Sequence, residues 1–600
     1  MDKFAELPRH VNNSECFLVE RSIMLSICGI FATSLTDATG ALFVTKCCRF
    51  LIALASFWTL TATADTAVHN ITGYTSTADG IREFSVLVFG ADGRLVATGD
   101  ENLLADIPAG DRIDGDGLFV LPGLTDAHAH VYSQGFLAVS LNLLGTPSVE
   151  AAVESIAEFA ATRRTGWILG RGWNQVLWPV QEFPTAADID AVVSDRPVWL
   201  RRIDGHAAWA NSRALEIAGI DADTPDPVGG KIIRDANGNA TGVLVDTAMA
   251  LVEKHIPDPT RSEIRETYNA AVDSLLALGI TGVHDAGISK TEAEVYLSMA
   301  DDGALKMRIY AMLSDTGPNL DAFDEPIRAY GNDHLDIASV KLYSDGALGS
   351  RGAAMIEPYD DDPENRGLPF YTQEELDAFV RKANNKGFQV GIHAIGDLGN
   401  RMALDAFERA QDGEPSPLRN RVEHAQIIAL DDIPRFSGLG VIASMQPVHA
   451  TSDMNMAEDR IGPERIEGAY AWRKLLDSGA VIANGSDFPV ELANPMYGLY
   501  ASITRQSRAG LPEGGWYGSE ALSREETLHS FTLAAAYAAH QEDRNGSLEA
   551  GKWADFIVID RDYMTVPASE IDDIVVLQTW VGGDIVYERC EDPDSAECTN

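Results

Sequence analysis

Leu121-Pro-Gly-Leu-Thr-Asp-Ala-His-Ala-His130 is the stretch on which the fold turns. An apolar start and two histidines spaced by one residue read as a strand. Side chains along a strand alternate between faces, so His128 and His130 are expected to point the same way. In a parallel barrel, that side at the carboxyl end of a strand is the mouth. Two imidazoles converging there suit a divalent transition metal. Alone the pair carries little weight, because histidines satisfied in cores or by solvent are commoner than ligands.

Working outward, short apolar runs alternate with amphipathic segments, the pattern of a parallel sheet wrapped by helices. Eight runs are expected as barrel strands: 118–130, 280–286, 306–313, 337–346, 388–396, 420–428, 440–447 and 480–489. Between them, 373–386 and 404–411 read most clearly as helices. The gap after the first strand is too long for a simple βα unit. Residues 145–275 are therefore read as an insertion with its own structure, in which a strand over 197–203 runs into Asp204-Gly-His206. Both ends of the chain are strand-rich. Residues 84–89, the turn Gly90-Ala-Asp-Gly93 and residues 95–97 predict a hairpin, and 546–559, 575–577 and 584–587 supply matching strands. The expected fold is α/β: a (β/α)8 TIM-like barrel over 121–544, with a small β-sandwich domain composed of residues 65–120 and 545–590.

Four further polar residues fall at or near the ends of expected strands: Lys341 on the fourth, His393 on the fifth, His424 on the sixth and Asp487 on the eighth. Catalytic residues drawn from several strand ends are what a barrel supplies. Each has a plainer reading. Asp487 would serve as a helix cap or turn residue before Pro489. Lys341, whose ammonium would be repelled by a divalent ion, would face substrate or pair with a carboxylate such as Asp345. His206 in the insertion and His284 on the second strand are candidates for substrate binding, or else hydrogen-bonded structural histidines. Arg351 and Tyr343 are candidates for orienting substrate. Trp173, Trp178 and Trp209 suit either an apolar wall or a core, and Thr451, Ser452 and Asp453 are expected in a mobile loop. No phosphate-binding glycine loop lies between strand and helix, and Gly-x-Ser-x-Gly is absent, so a serine-hydrolase reading has no support.

Taken together, these stretches resemble the amidohydrolase superfamily, and within it the YtcJ-like proteins and N-substituted formamide deformylases. The likeness rests on Pro122-Gly-Leu-Thr-Asp-Ala-His-Ala-His130, Asp204-Gly-His-Ala-Ala-Trp-Ala-Asn211, Lys341-Leu-Tyr-Ser-Asp-Gly-Ala-Leu-Gly-Ser-Arg351, His393-Ala-Ile-Gly-Asp397, Arg421-Val-Glu-His-Ala-Gln426, Ser444-Met-Gln-Pro447 and Gly485-Ser-Asp-Phe-Pro-Val490. The resemblance implies that His128, His130, His393 and His424 bind metal and that Asp487 is the metal-linked catalytic carboxylate. It also implies that Lys341, when carboxylated, bridges two ions. One or two divalent ions, zinc by preference, are the expected cofactor. The implied reaction is hydrolysis of a carbon–nitrogen bond in a linear N-substituted amide or formamide, by metal-activated hydroxide with Asp487 shuttling the proton. An ester, a lactone or a cyclic amide would suit the same site. The expected partner is a small molecule, and a homodimer is compatible with the class.

The composition agrees with an ordinary globular enzyme, at 45% hydrophobic and 23% charged residues. A formal net charge of −44, with the acidic residues scattered, reads as a solvated surface that repels nucleic acid and anionic lipid. Lys46 and Arg49, the apolar run Phe50–Leu60 and Ala62-Thr63-Ala64 predict a secretory signal cut after Ala64. The run is too short to span a bilayer, so an exported protein without a stable membrane span is expected. Asp2, Glu6, Glu15, Glu20 and Asp37 suit the region before a signal poorly, which predicts a working start downstream of Met1. Cys590 and Cys598 alone would survive cleavage, as a local disulfide or as free thiols of the tail.

Overall fold

The computed structural model describes residues 65–163 and 165–590. The expected signal segment, its cleavage point and Cys598 fall on residues outside these.

Eight parallel strands form the barrel: β1 (Leu124–Ala129), β2 (Ile280–Ile288), β3 (Arg308–Leu313), β4 (Leu335–Tyr343), β5 (Gln389–Ala394), β6 (Arg421–His424), β7 (Ile442–Met445) and β8 (Ile482–Asn484), and the short strand Ile327–Ala329 joins the same sheet antiparallel to β4. They are hydrogen-bonded in chain order from β1 to β8. The seam between β8 and β1 is held by loop contacts rather than a ladder. Asp487 N donates to His128 O at 2.8 Å, and His130 N to Phe488 O at 2.9 Å. Asp126 accepts Ser486 N at 3.0 Å and the Ser486 hydroxyl at 2.6 Å. A methyl on Gly485 would fall 2.4 Å from Asp126 Oδ1, so this close approach needs glycine.

The strands are apolar almost throughout because both faces are covered. Ile309, Ala311, Leu313, Ile337, Val340, Val390 and Ile392 lie in one continuous core with the helices outside the barrel. Those helices carry the expected caps. Thr372 caps Gln373–Asn385 in a capping box with Glu375, and Thr260 does the same for Arg261–Leu276 with Glu263.

Two expected strands differ most. The first was read as one run over 118–130, but it breaks at Gly123. Phe119–Pro122 joins the terminal sheet, and only Leu124–Ala129 belongs to the barrel. A side chain at Gly123 would collide with Thr281, 2.1 Å from its Cβ position, which lets the chain turn from one sheet into the other. The eighth was expected to run to 489, yet β8 stops at Asn484 and Asp487 sits in the following loop at φ 62°.

The ends of the chain build two smaller sheets. One pairs Thr66–His69, Val86–Phe89, Leu95–Gly99 and Arg112–Asp114. The other interleaves Thr72–Thr77, Gly80–Phe84 and Phe119–Pro122 with Phe556–Ile559, Val576–Val581 and Asp584–Glu588. The predicted hairpin is present, with Val86–Phe89 antiparallel to Leu95–Gly99. Arg308 on β3 ties this layer to the barrel through a buried pair with Asp555, Nη2 to Oδ1 at 2.8 Å.

Between β1 and β2 a separate six-stranded sheet begins at Leu141 and ends at Asp246. Its strand Val198–Arg202 falls inside the run predicted over 197–203. Trp173 and Trp209 are wholly buried in its core and donate to Leu200 O and Thr185 O at 2.7 and 2.8 Å. Trp178, also buried, bonds Thr146 O at 2.9 Å. These indoles are core, which removes the wall reading. Among the described residues no helix is long and apolar enough to cross a membrane.

Candidate metal centre

The sequence-predicted ligands are scattered over 360 positions of the chain, and the barrel gathers them at one end. The centre is Asp487, which follows β8. Its Oδ1 lies 3.1 Å from His130 Nε2 and 3.8 Å from His128 Nε2. The His424 ring stands 4.8 Å from that of His128 and 4.5 Å from that of His393, measured between centroids. Lys341 Nζ, on β4, is 2.9 Å from His128 Nε2 and 5.1 Å from the centre of the Tyr343 ring.

These side chains meet because of particular backbone features. His130 is followed at once by a helix, Val131–Val139, whose first N–H is accepted by the buried Asp285 at 3.0 Å. On β6 simple alternation would send Glu423 and His424 to opposite faces. His424 at φ 72° and Ala425 at φ 44° break the extended geometry, and both side chains end in the same network. Non-glycine residues held in this region carry a conformational cost that surrounding structure must sustain.

Hydrogen bonds fix the tautomers. His128 Nδ1 donates to Glu423 Oε2 at 2.6 Å, and His424 Nδ1 donates to Gln446 Oε1 at 2.7 Å. Each ring therefore presents an unprotonated Nε2, the state a metal needs. Behind Glu423 stands Arg421, wholly buried, with Nε 2.8 Å from Glu423 Oε1. Its other nitrogens reach Ala127 O, Ser444 Oγ and His284 Nδ1 at 2.6, 2.7 and 2.7 Å. A methyl on Gly391 would sit 2.5 Å from Glu423 Oε1, so β5 yields room for this carboxylate.

Burial dominates the proton equilibria. It lowers His128 to about 4, with Lys341 adding to the effect, lowers His393 to about 3, and pushes His424 well below its ordinary range. Burial likewise brings Lys341 down to about 8. For Asp487 burial acts upward, but the contact with His130 and the neighbouring imidazoles prevail and hold it at about 2. Glu423 is held below the usual carboxylate range in the same way, by Arg421 and His128 against its burial.

The donor set fits a divalent cation. One ligand atom each from His128, His424 and Asp487 lies within 4.8 Å of the others. His393 Nε2 and His449 Nε2 are buried without a hydrogen-bond partner, an unusual state for an imidazole nitrogen. Since the buried imidazoles are already neutral, protons compete with metal only at low pH. Metal retained after dialysis is expected to stay nearly constant from pH 7.5 to about pH 5 and to fall as pH approaches 4. A loss centred near pH 6.5, where exposed histidine titrates, would contradict the burial account.

Other predicted site residues are placed differently. His284 does not reach the mouth. β2 continues to Ile288, leaving His284 buried, tilted against Tyr310 and bonded to Arg421 behind Glu423. Arg351 forks onto Asp361 at 3.0 and 2.8 Å and braces the loop after β4. Tyr343 lies beside His393, 5.4 Å between rings. His206 is exposed beside the inserted sheet and bonds Asp246 at 2.9 Å; among the described residues no hydrogen bond or ion pair joins it to the cluster. Asp345 does not pair with Lys341; it accepts Ile395 N, Gly396 N and Ala354 N at 3.0, 2.8 and 2.8 Å. Thr451, Ser452 and Asp453 form a helix with Pro447, not a loop.

Sequence reasoning passed over Glu423, Arg421, Gln446 and His449. The first three lie inside stretches already singled out, Arg421-Val-Glu-His424 and Ser444-Met-Gln-Pro447, and alternation along β6 puts Arg421 and Glu423 on one face. His449 Nε2 stands 3.8 Å from Asp487 Oδ2, brought there by the turn of helix after Pro447.

A parallel barrel with buried imidazoles and an aspartate converging at the carboxyl ends of its strands defines a metal-dependent hydrolase of the barrel class. The chain belongs to the amidohydrolase family, whose description it matches over residues 111–587. It is 31% identical to YtcJ of Bacillus subtilis, named as an amidohydrolase, over 86% of this chain and 98% of that one. It is 28% identical to the N-substituted formamide deformylase of Arthrobacter pascens, over 84% and 95%. Among solved structures it is similar to an uncharacterized metal-dependent hydrolase from Pyrococcus furiosus, with a TM-score of 0.71 and 29% identity over 84% of this chain and all of that one.

Proposed function

We propose that the protein hydrolyses the carbon–nitrogen bond of small, linear N-substituted amides or formamides, with zinc as the cofactor. The observation that carries this reading is the convergence of His128, His424 and Asp487 donor atoms within 4.8 Å in a buried site. The formamide deformylase of Arthrobacter pascens supports the substrate class by its likeness.

The residues that would hold the ion are His128, His130, His393, His424 and Asp487. A bound divalent ion supplies a water of lowered pKa and a polarised carbonyl oxygen. Asp487, anionic across the working range, accepts the proton from the attacking water and returns it to the departing nitrogen. Glu423 and Gln446 keep His128 and His424 in one tautomer and one orientation. Lys341, partly unprotonated at neutral pH through its burial, is suited to add carbon dioxide at Nζ and lose a proton, giving an anionic carbamate in place of a repelled ammonium.

The test is a panel of formamides, acetamides, esters and lactones, run before and after treatment with a chelator. Formamide or amide turnover that falls to roughly a hundredth on chelation and returns with zinc is the expected result. Turnover indifferent to chelation, or confined to esters and lactones, would reject the reading. Export belongs to the same proposal: a mature protein beginning near Asp65 is expected, and an intact N-terminus in the exported fraction would count against it.

A further inference from the structure

A cavity of about 580 Å³ lies between the inserted sheet and the barrel helix that follows His130. Tyr132 and Pro489 line its near side. They are two residues from His130 and two from Asp487, so the cavity borders the two segments that carry these site residues. Its far side is built from the inserted sheet. There Leu169 pairs with Trp199 and Arg171 with Arg201 in register. Residues two apart on a strand share a face, so the four form one block: two apolar side chains at one level, two guanidinium groups at the next.

The two levels differ in what they offer. Phe136 and Ile256 complete the apolar part with Leu169 and Trp199. Trp199, 3% exposed, gives the cavity a fixed aromatic wall. At the charged level Arg201 is committed to Glu253, at 3.1 and 2.7 Å. Arg171 is exposed and makes no ion pair or side-chain hydrogen bond with any described residue. An uncommitted guanidinium beside an apolar floor is conspicuous on a chain of net charge −44. Guanidinium recognises a carboxylate through two parallel bonds.

We propose that this cavity receives the amine-side substituent of the substrate, and that the substituent is an aromatic-sized apolar group bearing a carboxylate. The inference rests on the amide-hydrolase reading of the adjoining site and names its substrate class: N-acylated or N-formylated aromatic amino acids and related acids. The apolar group lies on Leu169, Phe136 and Trp199, and the carboxylate meets Arg171.

Binding decides the matter independently of turnover. Calorimetry compares 3-phenylpropionate with 3-phenylpropanol, which differ only in the charged end. The acid is expected to bind about tenfold more tightly to the native protein, and Arg171→Gln is expected to abolish that preference. Equal binding of acid and alcohol, or a preference unchanged in Arg171→Gln, would overturn the proposal. Kinetics with N-formylphenylalanine and N-formyl-2-phenylethylamine then separate the two readings. Arg171→Gln should raise KM for the acid alone, about tenfold, with kcat preserved. If neither compound is hydrolysed while the acid still binds through Arg171, the cavity stands and the amide chemistry fails.

Discussion

Asp487→Asn is expected to lower kcat by roughly 10³-fold while leaving the protein folded. The amide has nearly the same shape as the carboxylate but cannot accept a proton from water at neutral pH. In the native protein Asp487 is anionic because its contact with His130 and the imidazoles around it outweigh its burial, holding it at about 2. The substitution also removes a charged metal donor, so metal content should be measured alongside rate. Loss of rate with metal retained assigns proton transfer to this residue, and loss of both assigns it a ligand role as well. A variant keeping more than about a tenth of native kcat would exclude Asp487 from either.

Glu423→Gln is expected to have the second largest effect, and to act on folding as well as activity. Glu423 is completely buried, accepts the His128 ring N–H at 2.6 Å and faces the Arg421 guanidinium at 2.8 Å. Removing its charge leaves Arg421 in the barrel interior without a counter-ion, and breaking a buried pair in this way typically costs about 3–5 kcal/mol. His128 loses its strongest acceptor, which in comparable centres lowers metal affinity about 10–100-fold. Denaturation of the metal-free protein isolates the first effect, and metal titration the second. A variant within about 1 kcal/mol of native, binding metal normally, would show that the Arg421–Glu423–His128 chain supports nothing.

Much of this arrangement is legible in the sequence because strands with two buried faces announce themselves as short apolar runs. All eight expected runs overlap a barrel strand, and the histidines at 128, 130, 393 and 424 stand out as polar residues in apolar company. Boundaries are less legible where the backbone departs from extended geometry. β8 ends at Asn484, where Gly485 and Ser486 pass close to Asp126, a constraint from a residue far back in the chain. The same holds for His424, whose positive φ cannot be read from Arg421-Val-Glu-His424. Alternation alone would place either Glu423 or His424 in the site; the structure places both.

The residues whose roles changed fall into two kinds. His284 was placed at the mouth because β2 was expected to stop near it, and the strand's extra length leaves it buried and bonded to Arg421 behind Glu423. Arg351 and the three tryptophans were singled out for chemistry they could perform, yet nearer partners occupy them: Asp361 for the arginine, backbone carbonyls for the indoles. A local pattern reveals a capable side chain. Only the assembled fold reveals whether that capability is already spent.

The most direct test is anomalous diffraction from crystals of the metal-loaded protein. The account predicts an ion at the carboxyl ends of β1, β5, β6 and β8, with imidazole nitrogens of His128, His130, His393 or His424 at about 2.0–2.1 Å and an Asp487 oxygen in its coordination shell. An ion bound elsewhere, with these imidazoles hydrogen-bonded to one another or to water, would contradict it.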